Sequence, residues 1–330
     1  MNLKIKQYLI ISVFLLFLTG CASSSPIKKT DFCMDTYISI TVYRQKDEAL
    51  IDEAFARCHA YEALLSKTMF DSDISRLEEN RFDYIEIAPE TQEIISIYKS
   101  LYAPSEQMLD CTVGALTEIW DFHDSGASVL PDETAIEAAV ASINAGALIL
   151  EGNTACLASE DAMLDFGAIA KGYISGKIRD FLVENGVKSA ILDFGGNIVV
   201  IGKRPDGNDY HIGIQKPFSD QNDISLAVSV SDQSVITAGV YQRYFEYEGK
   251  IYHHILNPKT GSSVDSDLLS ATILCDDPAL GDAYSTICIL LGKDKALSLI
   301  NHTDDMEGIF ITKDYETIFT DHAKKFINED

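Results

Sequence analysis

Asp165 and Lys171 lie six residues apart in the run Leu164-Asp165-Phe166-Gly167-Ala168-Ile169-Ala170-Lys171-Gly172-Tyr173. An acid and a base are set there among glycines and small side chains. Gly167 and Gly172 let backbone approach a ligand closely, and Ala168 and Ala170 leave room for one. If a helix begins near Gly167, its first N–H groups favour a phosphate, with Lys171 one turn further on. A strand end turning into a helix that packs through small residues explains the same run. Further along, Asp282 and Thr286 are four residues apart, so on a helix they share a face. Two oxygen donors so placed suit a hard cation such as Mg2+. They equally suit a helix N-cap with a packed threonine.

A third group lies in His253-His254-Ile255-Leu256-Asn257-Pro258-Lys259-Thr260-Gly261. The Pro-Lys-Thr-Gly segment explains itself as a tight turn. On a strand the two histidines alternate sides, so one of them can face a pocket and take a proton from a hydroxyl; a surface or hydrogen-bonded histidine is the plainer reading. Thr237-Ala238-Gly239-Val240-Tyr241-Gln242-Arg243 reads as a glycine loop before a strand, its arginine placed for an anion or an ordinary ion pair. Asp193-Phe194-Gly195-Gly196-Asn197 breaks an apolar strand, which suggests a bulge or a close ligand approach. In Met108-Leu109-Asp110-Cys111-Thr112-Val113-Gly114, Asp110 is a helix cap or a contact to a ligand's polar edge.

The elements that must carry these residues follow from periodicity. Alternation predicts strands over 37–43, 189–201 (a pair or a bent strand), 210–215, 225–230, 241–247, 250–255 and 308–312. Glu248-Gly249 is placed for a hairpin turn. Ile51, Phe55, Cys58, Tyr61 and Leu65 form a helical stripe within 48–67. Helices are also expected over 91–102, 131–145 and 283–291, and a polar turn over 71–76. Strands cluster without regular strand–helix alternation, so the expected class is α+β: layered, mixed or antiparallel sheets with flanking helices.

The N-terminus reads as an export signal over residues 1–20. Lys4 and Lys6 precede the apolar run 8–18, too short for a stable span, which ends in Leu18-Thr19-Gly20-Cys21. That ending resembles a bacterial lipobox, in which Cys21 is lipidated and becomes the first residue. Residues 21–29 then read as a tether, and 30–330 as one domain, anchored outside the cytoplasm on the cell membrane. The chain is 46% apolar, enough for a substantial core, and its formal charge is −25. Such acidity excludes nucleic acid as a partner, and an anionic substrate would need a metal or a few placed lysines. The six remaining cysteines form no CxxC pair, so their spacing signals neither a zinc nor a redox motif; most sit in apolar surroundings and read as core.

In this order the motifs resemble the ApbE family, the FAD:protein FMN transferases, over nearly the whole mature chain. Met34-Asp35-Thr36, Asp71-Ser72-Asp73-Ile74-Ser75-Arg76, Asp110 to Gly114, Asp165 to Gly172, Asp193 to Asn197, Thr237 to Tyr241, His254 to Gly261 and Asp282 to Thr286 carry the likeness. The resemblance implies transfer of the FMN half of FAD to a threonine or serine of an exported flavoprotein, such as an FMN-binding subunit of a membrane redox pump, with AMP released. It implies Met34 as part of the flavin wall, and Met108, Leu109, Asp110, Asp165 and Lys171 as FAD contacts. Ile255 would touch the nucleotide. The Ala168 carbonyl, Asp282 and Thr286 would surround Mg2+, and His254 would be the base. The same site could hand FMN to water instead, as an FAD pyrophosphatase, or the chain could simply bind FAD. Two positions depart from the family pattern: Ala238 stands where serine is frequent, and Thr68-Met69-Phe70 lacks a frequent tyrosine, leaving Phe70 as its substitute.

Overall fold

A computed structural model of the chain describes residues 25–122, 129–220 and 223–327. The segment read as an export signal, with Cys21, lies outside the described residues. The chain opens with the hairpin β1 (Ile27–Cys33) and β2 (Thr36–Val42). A long excursion follows: α1 (Glu48–Leu65), α2 (Asp73–Glu79), β3 (Ile85–Glu86), α3 (Pro89–Leu101), α4 (Gly114–Trp120), α5 (Glu133–Ser142), β4 (Leu148–Glu151), β5 (Thr154–Leu157) and α6 (Ala170–Glu184). Then come the hairpins β6 (Ser189–Phe194) with β7 (Asn197–Gly202) and β8 (Tyr210–Gln215) with β9 (Ile224–Val230), followed by β10 (Ser234–Gly239). The hairpin β11 (Tyr244–Tyr247) with β12 (Lys250–His253) precedes β13 (Leu268–Cys275), α7 (Pro278–Leu291), α8 (Lys293–Asn301), β14 (Met306–Thr312) and β15 (Thr317–Phe319).

Eight strands form one antiparallel sheet in the order β1-β2-β6-β7-β10-β13-β14-β15. Spatial order follows chain order, so the sheet is a meander whose connections have been expanded. The α+β class expected from the sequence is the one observed. Along β7, Val199 and Ile201 face the main core while Ile198 and Val200 face the hairpin β8–β9, the two-residue period of a strand covered on both faces. The interior strand β13 is buried along its whole length. Helices α6 and α7 pack together over one face of the sheet and carry Lys171, Asp282 and Thr286. The candidate residues thus sit on the connections and the sheet holds them.

Several element ends differ from the periodic reading. α7 begins at Pro278, five residues before the expected start, because Asp277 caps it (Ala279 N–H to Oδ1, 2.9 Å) and Pro278 occupies its first turn. The segment expected as a turn at 71–76 is half helix: the Ser72 hydroxyl accepts from Ser75 N–H at 3.0 Å and starts α2. Ile27–Lys29, read as tether, pair with Thr41, Val42 and Ile40 of β2. β11 begins at Tyr244 and β12 ends at His253, so His254 lies just beyond the strand. Gly195 and Gly196 form no bulge. Both have positive φ (67° and 97°) and close the β6–β7 hairpin, and any side chain on Gly195 would overlap Thr36. Among the described residues, no helix is long and apolar enough to cross a membrane.

Candidate active site

The site is built where α6 starts against the second turn of α7. Gly172 is required there, since a methyl group would overlap the Pro278 carbonyl and the Asp282 Cβ. That contact lets Asp282 Oδ2 accept the Gly172 N–H at 2.8 Å. Gly172 is one of the first-turn donors that a helix leaves unmatched, so Asp282 caps α6 from the neighbouring helix and is not the N-cap of its own. Lys171 Nζ lies 3.9 Å from the same oxygen.

Three oxygens at this junction have no hydrogen-bond partner among the described residues. Asp282 Oδ1 is one, the half-buried Thr286 hydroxyl a second. The Ala168 carbonyl is the third. In a continuous helix it would receive the Gly172 N–H four residues on, but Asp282 has taken that donor. A carboxylate, a hydroxyl and a main-chain carbonyl are the donor set of a hard cation, so these residues fit Mg2+.

The two histidines have separated roles. His253 is buried, with Nε2 3.2 Å from the Val264 carbonyl, and burial pushes its pKa down to about 4. His254 lies on the other side of the chain, half-buried. Burial, reinforced by the nearby charges of Arg243 and Lys171, pushes its pKa down to about 3. Its Nδ1 lies 3.3 Å from the Arg243 carbonyl, so Nδ1 carries the proton and Nε2 the basic lone pair. His254 is therefore a neutral imidazole, electrostatically coupled to Lys171, with no partner on its acceptor nitrogen among the described residues.

Both carboxylate oxygens of Asp165 are engaged. Its Oδ2 accepts from Lys67 Nζ and from the Thr117 hydroxyl, both at 2.7 Å, and Oδ1 accepts the Gly167 N–H at 2.8 Å. Burial alone would raise this carboxyl, but the Lys67 ammonium and these hydrogen bonds hold it below the usual range. The Asp165 segment is zipped to the Asp110 segment by Asp165 N–H to the Cys111 carbonyl and Gly114 N–H to the Met163 carbonyl, both 2.8 Å. Asp110 folds back on Thr112, accepting its N–H at 2.8 Å and its hydroxyl at 2.7 Å. Leu109 and Asp110 line a cavity of about 340 Å3 with Tyr98, Lys99, Tyr102, Cys111 and Leu148; Met108 is buried beside them.

Met34 and Asp35 form the β1–β2 turn, both with positive φ (54° and 55°). Glu62 Oε1 holds the Met34 N–H at 2.6 Å, and Arg243 reaches the Asp35 carbonyl at 3.3 Å. This turn is thereby tied to the His254 segment. The Ile255 side chain is buried in the main core and its carbonyl accepts the Val264 N–H at 2.9 Å. Ala238 is buried in β10, and the Phe70 ring stands 82% exposed.

The ApbE family model matches residues 34–310. The chain belongs to the ApbE family. It is 31% identical over 277 residues to the FAD:protein FMN transferase of Klebsiella pneumoniae strain 342, spanning 83% of this chain and 85% of that one. To the FAD:protein FMN transferase of Treponema pallidum strain Nichols it is 28% identical over 324 residues, 89% and 87% of the two chains. Its fold superimposes on the crystal structure of the Pseudomonas stutzeri flavinyl transferase ApbE, apo form, with a TM-score of 0.81 at 25% identity, covering 94% of this chain and all of that one. The ApbE match encloses every candidate from Met34 to Thr286. Lys67, Thr117 and Glu62 were missed from the sequence. Their partners are 98, 48 and 28 residues distant, and no local pattern marks them.

Proposed function

We propose that this chain is an FAD:protein FMN transferase that joins the FMN half of FAD to a threonine or serine hydroxyl of an exported flavoprotein and releases AMP. The observation that carries this reading is the trio of oxygens on Ala168, Asp282 and Thr286 without partners among the described residues, with Lys171 beside Asp282 and a neutral His254 electrostatically coupled to Lys171. Those three residues would hold Mg2+, which supplies the positive charge that a pyrophosphate needs and this acidic protein lacks.

The chain's own residues account for the remaining steps. Lys171 lies against the phosphate bearing FMN and offsets its charge. His254 Nε2 accepts the proton of the acceptor hydroxyl as its oxygen bonds to phosphorus. The bond from that phosphorus to the bridging oxygen breaks, and AMP departs with the oxygen. The Arg243 carbonyl, holding Nδ1–H, keeps the basic nitrogen aimed throughout. One end of FAD enters the cavity at Leu109 and Asp110, whose volume suits a ring system and not a whole dinucleotide. Met34 forms part of the flavin wall, and the exposed Phe70 offers a second ring-facing surface. Acceptors of this kind include FMN-binding subunits of membrane redox pumps, and a lipid on Cys21 would keep enzyme and acceptor on the same membrane surface.

The test is the intact mass of a purified acceptor domain after incubation with this protein, FAD and Mg2+. A gain of one FMN, abolished by EDTA, is expected. FMN and AMP accumulating in solution with no gain would make the chain a pyrophosphatase. FAD retained without turnover would make it a binder.

A further inference from the structure

On the outer flank of the sheet, the end of β1 and the middle of α1 bring together Cys33, His59 and Glu62. One ligand atom from each lies within 4.8 Å of the others. Cys33 Sγ is 3.2 Å from Glu62 Oε2, and His59 Nδ1 is 3.5 Å from the same oxygen. Ligands held at about 2.0–2.3 Å from a tetrahedral ion are themselves about 3.3–3.7 Å apart, so the two distances to Glu62 are already close to that spacing.

Two of these atoms are aimed by a neighbour. Asp31 Oδ2 sits 2.9 Å from His59 Nε2 and takes its proton-bearing side, which turns the Nδ1 lone pair toward Cys33 and Glu62. A carboxylate behind a histidine in this way is the usual support of a metal-bound imidazole. Met34 N–H occupies Glu62 Oε1 at 2.6 Å and leaves Oε2 for the cluster. Cys33 is buried, Glu62 half-buried and His59 exposed, so the site is closed below and open to solvent above. His59 and Glu62 are three residues apart on one face of α1.

We propose that Cys33 Sγ, His59 Nδ1 and Glu62 Oε2 form a binding site for one borderline-soft divalent cation of the Zn2+ class, with Asp31 orienting His59 and water in the fourth position. Sulfur, imidazole and carboxylate donors together select Zn2+ over Mg2+, so this site and the oxygen-only site at Asp282 hold different ions. Binding releases the Cys33 thiol proton to solvent, because the thiolate is the ligand. No cysteine spacing foretold the site, since its ligands come from a strand end and a helix face.

The experiment is a Co2+ titration of the full, untagged chain after chelator treatment, read by near-ultraviolet absorption, with Zn2+ as competitor. One equivalent of Co2+ with a thiolate-to-cobalt charge-transfer band is expected, displaced by Zn2+ and not by excess Mg2+. The band should persist in Asp282→Ala and vanish in Cys33→Ser. His59→Gln, at an exposed position that should leave folding intact, should weaken binding at least about tenfold, and Asp31→Asn about tenfold. No band in the wild-type chain overturns the proposal. So does a band that survives Cys33→Ser, or Co2+ affinity unchanged by His59→Gln.

Discussion

Asp282 and Asp165 are both carboxylates set against the start of α6, yet they use their oxygens differently. Asp165 spends both: Lys67 and Thr117 take Oδ2, and Gly167 takes Oδ1. Asp282 spends one, on the Gly172 N–H, and keeps Oδ1 in reserve beside the unpartnered Thr286 hydroxyl and Ala168 carbonyl. A carboxylate whose two oxygens are both engaged holds a loop in place. One with a lone pair to spare, fixed by the other oxygen, is positioned for a ligand. The sequence gives both acids the same appearance, an Asp among small residues, and only the count of hydrogen bonds tells them apart.

The comparison breaks first if Asp282 proves replaceable. Asp282→Ala should lower flavin transfer by about 1000-fold, the worth of several kcal/mol of charge stabilisation at a phosphoryl site. It should cost only about 1–2 kcal/mol of stability, for the stranded Gly172 N–H. Transfer within tenfold of wild type at saturating Mg2+ would remove Asp282 from the metal site.

His254→Ala comes next. Loss of a general base should reduce transfer by about 100-fold, with FAD affinity measured by flavin fluorescence changed less than about threefold. A large loss of FAD affinity with an unaltered rate in the bound complex would make His254 a binding group. Because burial keeps this imidazole neutral down to about 3, the free enzyme should show no acid limb near pH 6.5 that is traceable to His254.

Asp165→Asn tests the other side of the contrast. It leaves the Lys67 ammonium facing an amide in a largely buried pair, which should cost about 2–3 kcal/mol, read as a lower midpoint in urea. Transfer at a temperature where the variant is folded should fall far less than in Asp282→Ala. If stability is unchanged and transfer is lost, Asp165 contacts substrate directly and the division between the two acids fails.

How much of this was legible follows from where each signal lives. The Asp282–Thr286 spacing was readable because both residues lie on one helix. That Asp282 is not the N-cap of its own helix became clear only with Asp277 and Pro278 starting α7 five residues early, a capping signal hidden by the stronger apolar run behind it. The hairpin at Glu248-Gly249 was readable because turn geometry is local. Lys67, Thr117 and Glu62 were not, since each acts on a partner brought near only by the packing of α1 and α4 against the loops. Strand alternation predicts that the two histidines point to different sides of one strand over 250–255, whereas β12 ends at His253 and leaves His254 just beyond it.

The smallest effect sharpens that last point. Burial pushes His253 to about 4 and His254 to about 3, from an ordinary 6.5. Unfolding restores both, so below pH 6.5 the unfolded chain binds more protons than the folded one. Stability is therefore full above about 6.5 and is lost as pH falls toward 4 and then 3. Asp165, held low, adds the same sign only below its ordinary 3.8. Glu78, raised by burial, works against the histidines, while His59, raised by Asp31, acts above 6.5 and leaves this window clear. The slope must accordingly be read as a difference between variants. Urea midpoints measured between pH 6.5 and 4.5 should fall with acid, and His253→Phe should remove about one proton from the slope. An unchanged slope in that variant would mean that His253 is charged in the folded protein, and that the inward side of β12 is not the dry one.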